Sequence, residues 1–129
     1  MSTERSGPIY IVENDEAVRQ SLRLLLEVEG HQVEDFANAE EFLKNRDGRE
    51  AACLVLDYQL DNMTGLALLE KLRSDGVNTP AIIVTAQDLT HEARNGQAGA
   101  LVILQKPTTA TELLGWINQA LSATRAPRA

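Results

Sequence analysis

Residues 52–57, Ala52-Cys53-Leu54-Val55-Leu56-Asp57, are apolar for five positions and then end in a carboxylate. A short, unbroken apolar run fits a strand buried on both faces, as strands of parallel sheets are. Two later runs share the design: Ile82-Ile83-Val84 leads to Thr85, and Leu101-Val102-Ile103-Leu104 leads through Gln105 to Lys106. A parallel sheet gathers the carboxyl ends of its strands at one edge, where open α/β sheets bind their ligands. An acid, a hydroxyl and an ammonium therefore meet. Ile9-Tyr10-Ile11-Val12, followed by Glu13-Asn14-Asp15, adds acidic residues to that edge if it is a strand of the same sheet.

Between these runs lie helical patterns. Glu16 to Glu29 places Val18, Leu22, Leu25 and Leu26 at helical spacing, with Leu24 and Val28 broadening the apolar face, and Gly30 supplies a stop. Gln32 to Phe36 reads as an edge strand, and Ala39 to Lys44 as a short helix with Phe42 and Leu43 inward. Thr64 or Asn62 can cap a helix from Gly65 to Ser74 that ends at Asp75-Gly76. Pro80 to Thr85 and Leu101 to Gln105 complete the strands, and Thr111 to Leu121 makes the last helix. Residues 86–98 hold few large apolar side chains and include Gly96, which predicts a short, mobile helix. Strands alternating with helices predict right-handed crossovers and a parallel sheet covered on both faces.

At 129 residues the chain suits one domain. It has no apolar stretch long enough to span a bilayer and no apolar signal core near its start, which predicts a soluble, cytoplasmic protein. Twelve Lys and Arg against nineteen Asp and Glu give a formal charge of −7, which opposes direct binding to nucleic acid or an anionic membrane. Cys53 has no partner for a disulfide or a metal cluster and reads as a small core residue, while His31 and His91 stand apart from the edge residues and read as surface side chains. Residues 1–7 and 123–129 read as flexible tails around a domain of residues 8–122.

Four passages in order, IYIVENDEAV (9–18), CLVLDYQLDNMTG (53–65), IIVTA (82–86) and LQKP (104–107), resemble the landmarks of the receiver domain of two-component response regulators. The resemblance implies a doubly wound, five-stranded parallel α/β sheet of order 2-1-3-4-5. It implies that a sensor histidine kinase or phosphotransfer protein gives a phosphoryl group to Asp57, forming an aspartyl phosphate. Thr85 and Lys106 then contact the phosphoryl oxygens, and Mg²⁺ is held by Glu13, Asn14, Asp57 and the backbone carbonyl of Gln59. Gln59 and Gln87 occupy the positions that tune phosphoryl lifetime. Pro107 follows a cis peptide bond in this family, an isomer accessible at modest cost only before proline. Such a domain is a signalling phosphoacceptor that assists its own phosphorylation and dephosphorylation, and is not otherwise an enzyme.

Several residues depart from the family pattern. Asn14 replaces the usual second Asp and removes a full negative charge from the metal site. Ile103 stands where an aromatic switch residue is usual, Asp61 where Pro is common, and Thr108 where Phe is common. Residues 18–43 look similar to regulators of the nitrogen-fixation and nitrate-response type, which continue into a DNA-binding domain. The chain is too short for one, so the expected output is a protein or domain outside it, and a homodimer is allowed. Asn14 and Ile103 motivate an alternative, a pseudo-receiver that binds proteins without phosphorylation. A flavodoxin-like enzyme would share the topology, but without a metal Glu13-Asn14-Asp15 would repel phosphate where its cradle should be.

Overall fold

The computed structural model describes residues 7–45, 51–86 and 99–123. In chain order they form β1 (Ile9–Val12), α1 (Glu16–Val28), β2 (Val33–Phe36), α2 (Ala39–Asn45), β3 (Cys53–Asp57), α3 (Gly65–Ser74), β4 (Ala81–Thr85), β5 (Val102–Gln105) and α4 (Ala110–Ala123). All strand pairs are parallel and the sheet order is β2-β1-β3-β4-β5. This is the doubly wound α/β architecture expected, with β2 at an edge. The expected helix within 86–98, Gln87, His91 and most of the two expected tails lie outside the described residues.

Alternation of side chains along the strands divides the core in two. Ile9, Ile11, Cys53, Val55, Ile82, Val84 and Leu104 pack with Leu26 of α1 and Leu113 and Ile117 of α4. Tyr10, Val12, Leu54, Leu56 and Ile83 pack on the other face with Phe42 of α2 and Leu68, Leu69 and Leu72 of α3. Cys53 is fully buried, as a small core residue should be. On the second face Tyr10, Phe36 and Phe42 meet edge to face, with ring centroids 5.3–5.7 Å apart.

The helix ends follow side-chain chemistry. Asp15 caps α1 by accepting from Val18 N at 3.0 Å, and Thr64 caps α3 by accepting from Ala67 N at 3.0 Å. Gly30, at φ +94°, ends α1 with two bonds, Gly30 N to Glu27 O and His31 N to Leu26 O, which close the last turn.

Two details of the sequence reading are corrected. Leu24 and Val28 do not join the core, being 63% and 73% exposed, because the apolar arc of α1 is wider than the sheet it covers. The last helix begins at Ala110, one residue before the expected Thr111. Thr109 is the cause, since its hydroxyl accepts from Glu112 N at 3.0 Å and starts the helix earlier.

Candidate functional site

Register brings the polar strand ends together. Val12 pairs with Leu56, Asp57 with Val84, and Thr85 with Gln105. Glu13, Asp57, Thr85 and Lys106 therefore all lie at the carboxyl edge of the sheet. Glu13 and Asp57 are only 3% and 5% exposed, and Thr85 is buried at the end of β4. Lys106 Nζ stands between the two carboxylates, 3.5 Å from Glu13 Oε1 and 3.4 Å from Asp57 Oδ1. Asp57 Oδ1 also accepts a long bond from Gln59 N at 3.4 Å. The Lys106–Pro107 peptide is cis.

The acidic loop after β1 is tied on several sides. Glu13 N donates to Phe36 O at 3.0 Å, and Glu13 Oε2 accepts from Asp15 N at 3.1 Å. Arg19 Nη1 donates to the Glu13 carbonyl at 2.8 Å while Arg19 Nε pairs with Asp35 of β2 at 3.0 Å. Asn14 is exposed. Burial is the main reason that the Glu13 carboxyl is held above the usual glutamate range. The Asp15 N–H opposes that shift, the charge of Asp57 adds to it, and Lys106 offsets part of it.

Two buried carboxylates sharing one ammonium leave negative charge that a cation would relieve. Among the described residues no three His, Cys, Asp or Glu side chains gather as metal ligands. The structure brings together instead the Glu13 and Asp57 carboxylates, with exposed Asn14 next in sequence to Glu13 and Gln59 joined to Asp57 through its N–H. Hard oxygen donors of this kind, with one or two carboxylates, suit magnesium, which keeps several of its waters. The site opens into a cleft of about 710 Å³ between α1 and α4, whose walls include Val18, Leu22, Leu25, Val55 and Leu113.

Ile103 pairs with Ile83 on the face toward α2 and α3, half-buried, and by alternation Thr85 shares that face. Thr108 donates to Glu112 at 3.1 Å, and Asp61 is exposed. Sequence reasoning missed Gly65 as a site residue. A Cβ there would lie 2.5 Å from the Asp57 carbonyl oxygen, and Gly65 N donates to Tyr58 O at 2.7 Å. Its signal was the glycine that closes CLVLDYQLDNMTG.

A 2-1-3-4-5 parallel sheet with two buried carboxylates and a lysine at its carboxyl edge defines an α/β domain built around an acidic site. The chain belongs to the response regulator receiver domain family, whose model matches residues 9–118. Response regulator protein TodT of Pseudomonas putida is 33% identical over 120 residues, which cover 92% of this chain and 53% of that protein. A CheY-like receiver domain from Methanospirillum hungatei is 30% identical with a TM-score of 0.83, covering 92% of this chain and 96% of its own. Full-length FixJ from B. japonicum is 29% identical with a TM-score of 0.83, covering 95% of this chain and 60% of its own. The chain spans about half the length of the curated relatives it matches. No helix among the described residues is long and apolar enough to cross a membrane.

Proposed function

We propose that Asp57 is the phosphoacceptor of this receiver domain and that a sensor histidine kinase or phosphotransfer protein is the donor. The observation that carries the reading is the ammonium of Lys106 within 3.5 Å of both Glu13 and Asp57 at the sheet edge. An Asp57 carboxylate oxygen attacks phosphorus, a P–O acyl phosphate bond forms, and the bond to the donor's imidazole nitrogen breaks. The electron pair stays on that nitrogen. An anion attacking an anionic group needs positive charge at the phosphoryl oxygens, and Lys106 supplies one such charge from its place beside Asp57. The Thr85 hydroxyl donates to a second phosphoryl oxygen.

Glu13, Asn14, Asp57 and the Gln59 carbonyl would hold Mg²⁺, which when bound adds the remaining positive charge. Gln59 and Gln87 tune how long the acyl phosphate lasts. The domain spans residues 8–122, works in the cytoplasm as a signalling phosphoacceptor, and passes its state to an output protein or domain outside residues 1–129. Support for a separate output comes from the greater length of TodT and FixJ.

Incubation with a small phosphodonor and Mg²⁺, followed by intact-mass measurement, tests the reading. Wild type should gain one phosphoryl group and Asp57→Ala none. A wild type that stays unlabelled with donor and with kinase, beside a labelled control receiver, would overturn it in favour of the binding-only pseudo-receiver.

A further inference from the structure

We propose that Arg19 is a positioning residue that orients the metal-holding loop through the Glu13 carbonyl. The inference rests on the magnesium site proposed above. Arg19 sits one turn into α1, yet its side chain is only 13% exposed because it turns back toward the sheet edge. Its guanidinium is forked between two elements. Nε pairs with Asp35 on β2 at 3.0 Å, and Nη1 reaches the Glu13 carbonyl at 2.8 Å. Asp35 is equally buried, and Arg23 takes its other oxygen while Gln20 donates to the same oxygen as Arg19 at 3.4 Å.

The carbonyl of Glu13 belongs to the peptide plane that leads into Asn14. Because that plane is rigid, fixing the oxygen fixes the direction in which Asn14 leaves the strand. The Glu13 N–H is bound by Phe36 O on the other side, and Asp15 is held by its cap on α1. Arg19 thus adds a hold on the loop at the Glu13 carbonyl, between two fixed neighbours. This matters more here because residue 14 offers an amide oxygen and not a carboxylate, so placement must compensate for the missing charge.

Charge is not what Arg19 adds. It forms with Arg23, Asp35 and Glu27 a network of two guanidinium groups and two carboxylates, whose sum is zero. The contribution is geometric, and a charge-neutral replacement isolates it. Arg19→Met combined with Asp35→Asn removes the fork and leaves the Arg23–Glu27 pair balanced. Arg19→Lys retains the charge but, as a compact point donor, cannot serve both acceptors in the forked geometry.

The test uses the whole chain in two measurements. Magnesium is titrated without phosphodonor, read by the backbone amide resonances of Asn14 and Asp15. Phosphorylation by a small phosphodonor is then followed as a function of magnesium concentration. The double variant should shift the magnesium midpoint upward about tenfold, the size of effect seen when groups supporting metal ligands are removed. Its rate at saturating magnesium should stay near wild type, and Arg19→Lys should fall between the two. A role in stability alone would lower the unfolding midpoint and leave the magnesium midpoint in place, which overturns the proposal. If the double variant does not fold, Arg19→Lys decides, because an unchanged magnesium midpoint there also overturns it. Amide exchange at Asn14 and Asp15 in metal-free protein should be faster in the variants. That readout separates failure of this inference from failure of the magnesium site itself, which would show as a wild type blind to magnesium.

Discussion

Gly65 and Asp57 are packed backbone to backbone: a Cβ on Gly65 would come within 2.5 Å of the Asp57 carbonyl oxygen and 3.3 Å of Tyr58 Cα. The first turn of α3 therefore rests directly on the strand end that carries the proposed phosphoacceptor. The contact is reinforced by the Gly65 N to Tyr58 O bond at 2.7 Å and by a bridge between Gln59 and Thr64.

Gly65→Ala should consequently destabilise the fold by about 1–3 kcal/mol, the cost of forcing atoms into a packed site where backbone cannot yield. It should also slow labelling of Asp57, because the strand end must shift. Gly115 offers the contrast. It lies within α4 and a Cβ there meets nothing within 4 Å, so Gly115→Ala should stabilise by about 0.5–1 kcal/mol through helix propensity. Urea unfolding of the two variants, showing opposite signs, checks the argument.

The raised carboxyl of Glu13 makes a pH prediction. A folded-state value above the unfolded one means the native protein binds that proton more tightly. The contribution of Glu13 is then favourable below the ordinary glutamate value of 4.5 and is lost as pH rises through the higher folded value. At neutral pH and without divalent cation, ionised Glu13 costs stability. Glu13→Gln should unfold at higher urea than wild type at pH 7.5 in chelator, with the gain shrinking toward pH 5 and cancelled in wild type by added magnesium. Equal midpoints at pH 7.5 would contradict the cost of burying an ionised Glu13, to which the charge of Asp57 adds.

Asn14→Asp restores a carboxylate beside this pair. It should tighten magnesium binding and lower metal-free stability at neutral pH, since three neighbouring carboxylates disfavour one another's ionised form while bound cation stabilises them. Magnesium titration by calorimetry reads the first effect, and urea unfolding in chelator the second. Equal or weaker magnesium affinity in the variant would remove residue 14 from the ligand set.

The strands were legible because each buried strand is an apolar run with a polar residue just beyond it, and parity in a parallel sheet leaves little freedom in what such residues can do. Asp57, Thr85 and Lys106 could be brought to one edge on that ground alone. Other features depend on contacts between distant residues. Arg19 and Asp35 are sixteen positions apart and each looks like a surface charge until α1 is docked on β2. Asp15 reads as part of an acidic cluster, yet its carboxylate is used as the cap of α1. Leu24 and Val28 fit the helical period but fall outside the arc that the sheet covers, a limit set by packing and invisible to periodicity.

Thr85 and Ile103 share one face of the sheet, because β4 and β5 pair Ile83 with Ile103 and Thr85 with Gln105. If the Thr85 hydroxyl follows a phosphoryl oxygen on Asp57, the end of β4 moves and Ile103 must repack against its half-buried surroundings, without the aromatic usual at that position. Local openings of this size change amide protection in the affected segment before they change the global fold. Phosphorylation should therefore alter hydrogen exchange across residues 86–105 as well as beside Asp57. Thr85→Ala should still accept the phosphoryl group, more slowly, while losing most of the change at residues 99–105. Exchange measured by mass spectrometry on matched phosphorylated and unphosphorylated samples decides the point. Changes confined to residues 53–60 in wild type would exclude Thr85 as the coupling residue and direct attention to the α1 side of the site.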